Sequence, residues 1–103
     1  MLTPEAVAQW LGMSAPDDHV KRCTGAVNAF VGALPSAPRT TDGEWAESTA
    51  LAATMLAARL VRRRNSPAGV EAFTDTGAVY VSRYDADVAL MLRMGDYAAP
   101  KVG

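Results

Sequence analysis

Apolar residues along this chain recur mostly at three- and four-residue steps, the spacing that puts them on one face of an α-helix. Thr3-Pro4-Glu5 reads as a helix start: the Thr3 oxygen caps, Pro4 sits where no N–H is needed, and Glu5 favours the helix dipole. Val7, Trp10 and Leu11 make a short apolar stripe that Gly12 ends, a helix of about two turns. Ser14-Ala15-Pro16-Asp17-Asp18 is a turn and a second start. From it Val20, Cys23, Val27, Phe30, Val31 and Leu34 predict a helix from Asp17 to Ala33, closed by Pro35.

After the proline-punctuated loop Pro35-Ser36-Ala37-Pro38, Thr41-Asp42-Gly43-Glu44 has the form of a capping box and predicts a third helix from Trp45 to about Arg64. Ala46, Ala50, Ala52, Ala53, Ala57 and Ala58 give that segment high helix propensity, and Leu51, Met55, Leu56 and Leu60 supply its larger apolar groups. Asn65-Ser66-Pro67-Ala68-Gly69 stops it. Two short runs, Glu71 to Thr74 and Ala78 to Ser82, flank Asp75-Thr76-Gly77 and predict a small β-hairpin. Asp85 then reads as the N-cap of a last helix through Val88, Leu90, Met91, Leu92 and Met94, ended by Gly95. The predicted fold is mainly α: a compact bundle of about four helices, with the hairpin between the third and fourth. Residues 1–95 form the helical domain and 96–103, which show no periodicity, an extended C-terminal arm.

At 103 residues the chain can bury one core. Half of it is hydrophobic but only 7% aromatic, so the apolar content suits close helix contacts rather than a sandwich or barrel. A formal net charge of −1 argues against a general polyanion binder. The charge is unevenly spread: residues 1–55 carry three bases against six acids, and residues 56–103 seven against five. Surfaces of opposite sign suit self-association. The one cysteine, Cys23, excludes an internal disulfide, and with a single histidine no structural zinc set exists. Without a signal-like start or an apolar run of ~20 residues, a cytoplasmic protein with no membrane span is expected.

No constellation carries chemistry. His19 beside Asp17 and Asp18 lies in a helical first turn, Cys23 holds an apolar helical position without a second histidine, and Asp85 and Asp87 fall at a helix start where capping accounts for them. Trp10 and Trp45 read as core or subunit-contact residues. No phosphate loop, nucleophile elbow or zinc-protease motif occurs, so neither catalysis, cofactor nor metal is expected. Arg59, Arg62, Arg63 and Arg64 form the one dense basic cluster and are the candidates for contact with DNA or an acidic partner; helix-dipole capping is the plainer alternative.

The run from Leu60 to Gly69, which contains Arg62-Arg63-Arg64-Asn65-Ser66-Pro67, together with Gly77 to Asp87 and the ending Met94-Gly95-Asp96-Tyr97 to Pro100-Lys101-Val102-Gly103, resembles the head-tail connector, or adaptor, proteins of long-tailed phages of actinobacteria. The likeness spans most of the chain in order, is generic over the first forty residues, and departs from the family at Val88 to Gly95. It implies a structural subunit in the virion neck, assembled in the host cytoplasm as a homo-oligomeric ring of about twelve copies. Its partners would be the portal, the next neck or tail-completion protein, and genomic DNA passing through the lumen without sequence specificity. Tyr80, Arg83, Tyr97, Pro100, Lys101 and Val102 are the expected intersubunit or portal contacts. Two other readings stay open: a small helical DNA-binding regulator using the arginine cluster, and an antitoxin-like interaction module.

Overall fold

The computed structural model describes residues 1–63 and 69–94. They form α1 (Pro4–Trp10), α2 (Asp18–Ala33), α3 (Glu47–Arg62), α4 (Gly69–Tyr84) and α5 (Ala86–Met91), with no strand among them. The fold is mainly helical as expected; among the described residues there are five helices in place of about four, and no hairpin.

The first two helices begin where their caps place them. Thr3 accepts the Ala6 N–H at 3.2 Å, and Asp17 accepts the Val20 N–H at 2.8 Å. The α1 stripe docks on α2 and α3 through Val7 and Ala8, while Leu2 is clamped by Asn28, whose amide both accepts from the Leu2 N–H (2.9 Å) and donates to its carbonyl (2.8 Å). The thiol of Cys23 is buried, as its helical position implies.

Helix α3 packs against α1, α2 and α5, and α2 against α1, α3 and α4. Its alanines Ala52, Ala53 and Ala57 are buried with Leu56 and Leu60, and small side chains let neighbouring helix axes come close. Burying a leucine or phenylalanine such as Leu56, Leu60 or Phe73 contributes about 1.5–3 kcal/mol each. The buried hydroxyl of Thr49 donates to the Pro38 carbonyl at 2.6 Å and ties the α2–α3 loop to the first turn of α3.

Two turn signals change places relative to the sequence reading. Thr41-Asp42-Gly43-Glu44 is no capping box. The Thr40 N–H donates to the Glu44 carbonyl at 2.7 Å, Gly43 has φ +84°, and Arg39 and Trp45 form an isolated antiparallel bridge across this reverse turn. A residue with positive φ cannot lie in a helix, so α3 starts only at Glu47, after Ala46, which makes no side-chain cap bond. Asp42-Gly43 is the dipeptide that a tight turn prefers.

Conversely, the segment expected as a hairpin around Gly77 is inside α4. Phe73, Tyr80 and Val81 are buried at helical spacing, whereas Val79, which a strand would place on the same face as Val81, is 65% exposed. Gly77 serves close approach rather than a turn: a Cβ there would lie 2.8 Å from Cδ1 of Phe30 on α2. Phe30, Phe73 and Tyr80 continue as edge-to-face pairs with centroids 5.2 and 5.9 Å apart, joining α2 to α4.

Helices α1 and α5 end alike. The Met13 N–H reaches the Ala8 carbonyl (2.8 Å) and the Gly12 N–H that of Gln9 (3.1 Å); likewise Met94 reaches Ala89 (3.0 Å) and Arg93 reaches Leu90 (3.1 Å). These are Schellman motifs with the left-handed position held by Gly12 (φ 77°) in one and Arg93 (φ 55°) in the other. The last helix therefore stops before Gly95, which, like the expected arm 96–103, lies outside the described residues.

Candidate functional site

Arg59 and Arg63 stand four residues apart on α3 and so share one face of its last turns, the face against which α5 packs. Arg59 forks onto Asp87, with Nη1 and Nη2 each donating at 2.6 Å, and a further bond from Nη1 reaches Asp85 at 3.2 Å. Arg63 forks onto both oxygens of Asp85 at 3.0 and 2.9 Å, and it also donates to the Tyr80 hydroxyl at 3.2 Å, with its guanidinium carbon 5.6 Å from that ring's centroid. Bidentate arginine–carboxylate pairs of this kind are strong and directional.

The two aspartates sit in different surroundings. The Asp85 side chain is fully buried, and its position before α5 is that of an N-cap, yet it makes no cap bond because both oxygens face the arginines. The capping role expected for it is thus replaced by an ionic one. Asp87 is half-exposed; its bond from Arg59 is the largest cause holding its carboxyl down at about 2, from an ordinary 3.8. The same bond, partly offset by burial, raises the Arg59 guanidinium above its ordinary value, and for Arg63 the bond to Asp85 does so.

Of the arginine cluster read as a partner or DNA contact, Arg59 and Arg63 are therefore drawn into this intramolecular network, Arg62 is exposed, and Arg64 lies outside the described residues. Among the expected subunit contacts, Tyr80 is buried in the core, while Arg83 is exposed and lines a shallow groove with Ala78, Val79, Ser82 and Met94. Tyr97, Pro100, Lys101 and Val102 lie outside the described residues. Trp45 is partly buried against the core, but Trp10 is 50% exposed. Residue reasoning missed Asp85 as the partner of the cluster. The four-residue spacing of Arg59 and Arg63 was the available signal; the 22 to 26 residues separating them from Asp85 hid its target.

The network can fasten α5 and the end of α4 onto α3. It holds each of the two carboxylates in an ion pair with arginine. His19 Nε2 and Cys23 Sγ are 3.7 Å apart one helical turn along α2. Among the described residues no group of three or more His, Cys, Asp or Glu side chains could hold a metal ion, and no helix is long and apolar enough to cross a membrane. Neither a known protein family, nor a characterised protein, nor a solved structure matches this chain.

Proposed function

We propose that this chain is a structural subunit of the connector joining the head and tail of a long-tailed phage, where it forms a homo-oligomeric ring on the portal. The observation that carries the reading is a helical subunit that leaves large apolar groups at its surface, Trp10, Leu51, Val79, Tyr84 and Leu90, on four of its five helices. Exposed apolar groups scattered singly are ordinary on a protein surface, and the proposal assigns these to contacts between subunits. The resemblance of residues 60–69 and 77–87 to connector proteins points the same way. The role is architectural rather than catalytic, in the virion neck, with the portal above, the next neck or tail-completion protein below and DNA passing through the lumen. The arm 96–103 and the exposed Arg62 and Arg83 are its proposed contacts, charge-based for the arginines.

Negative-stain electron microscopy of the purified chain, alone and with its portal, should show rings with a central lumen, of about twelve subunits by the resemblance. A dispersed monomer that binds duplex DNA in a salt-sensitive way would favour the regulator instead.

A further inference from the structure

Two members of the arginine cluster, Arg59 and Arg63, are tied down by an element that cannot stand alone. Helix α5 has six residues, too few to persist in water without tertiary contacts. Asp85 alone separates it from α4, with a backbone (φ −136°, ψ 60°) outside the helical region, so rotation about one residue swings α5 while α4 keeps its hydrogen bonds. At its other end α5 closes on Arg93 at φ 55°, a conformation an L side chain adopts at a cost.

The attachment of α5 is mixed in kind. Val88, Ala89 and Leu92 are buried, and the helices on which α5 packs are α3 and α4. Its polar ties, among the described residues, are the forks of Arg59 and Arg63 onto Asp85 and Asp87 at one end and the Ser36 hydroxyl, which donates to the Leu92 carbonyl at 2.9 Å, at the other. Both arginine side chains keep 31% of their exposure and Asp87 52%, so water and ions reach the clasp. The rest of the fold has a core of its own. Val27, Val31, Leu56 and Leu60 of α2 and α3 are fully buried, and α1 and α4 both pack on α2.

We propose that α5 is a strap that masks the arginine cluster: it lifts from α3 as one unit about Asp85 while α1 to α4 stay folded, and in lifting it releases Arg59 and Arg63 beside the exposed Arg62. Proteins open in such contiguous units below the free energy of global unfolding. The inference stands on the subunit alone and is independent of the connector reading.

Native-state hydrogen exchange of the full chain, read amide by amide in low denaturant, tests it. The amides of Ala89, Leu92 and Met94, bonded to the carbonyls of Asp85, Val88 and Ala89, should share one protection factor, about tenfold or more below that of Ala57 and Leu60 inside α3. Their exchange should respond weakly to denaturant, because lifting six residues exposes little surface. Asp87→Asn should lower that shared protection up to about fivefold, and Arg59→Gln, which empties the same pair from the α3 side and also leaves Asp85 one bond short, by more. Val27→Ala on α2, away from the helices on which α5 packs, should lower protection inside α3 and leave α5 unchanged, because it weakens the strapped and the unstrapped body alike. Circular dichroism confirms that each variant is folded. Amides of α5 as protected as those of α3, a fall in step with α3 on Val27→Ala, amides that open one by one, or a protection indifferent to both Asp87→Asn and Arg59→Gln would each overturn the proposal.

Discussion

Arg93 does at the end of α5 what Gly12 does at the end of α1, and an L side chain is strained there, because its Cβ crowds the backbone at positive φ. Arg93→Gly should therefore stabilise the fold by about 0.5–1 kcal/mol, read as a higher midpoint in urea with unchanged slope. A fall in stability would mean that the Arg93 side chain makes a contact worth more than the strain it carries. Glycines elsewhere sort by what surrounds them. Gly25 and Gly32 lie on α2 with open space where a Cβ would go, so Gly→Ala at either should gain up to about 1 kcal/mol from helix propensity. At Gly77 the same change drives a methyl into Phe30, which is itself held edge-on by Phe73. There overpacking outweighs the propensity gain, and Gly77→Ala should destabilise by about 1 kcal/mol. Equal effects at all three positions would dismiss the close approach of α2 and α4.

A six-residue helix such as α5 does not hold itself together in water; tertiary contacts must hold it. It has two: Val88, Ala89 and Leu92 in the core, and the clasp from α3. Asp85→Ala would leave Arg63 without its carboxylate, and because that side chain keeps 31% of its exposure some hydration is recovered, so the expected loss is about 2–3 kcal/mol, below the range for wholly buried pairs. Asp87→Asn at the half-exposed end should cost less than about 1 kcal/mol. The sign of its pH dependence follows from the lowered carboxyl: the pairing contribution is complete above the ordinary 3.8 and is lost as pH falls toward about 2. Denaturant midpoints measured across that interval should drop more steeply for wild type than for Asp87→Asn; parallel profiles would place the acid sensitivity elsewhere. At this scale the sequence was partly transparent. Thr3 and Asp17 announced α1 and α2 because an N-cap is a local bond between residues three apart. The Val-Tyr-Val run of α4 was opaque: β-branched and aromatic residues favour strands locally, and only packing of Phe73, Tyr80 and Val81 against their neighbours decides for helix.

For the molecule as a whole, the alanine-rich segment was legible as a long helix, since alanine favours helix and its small side chain lets neighbours approach closely. The site was less so, because an arginine cluster looks the same in a chain whether its partner is a phosphate, another protein or an aspartate some 22 residues on. The placement of the core leads to the last prediction. Met94 is 5% exposed, packed with the core, and its N–H closes the end of α5. Residues 96–103 offer only Tyr97 and Val102 as sizeable apolar groups beside Pro100 and Lys101. Truncation after Gly95 should accordingly leave a soluble, helical chain whose Tm falls by less than about 4 °C, the shift that ~1 kcal/mol produces at this size. If the segment is the arm of a connector, the truncated chain should melt normally yet fail to join the portal or its next partner in pull-down and in virions. A larger loss of Tm would assign the segment to the subunit's own core, and complete virions built from truncated chain would show that assembly does not use it.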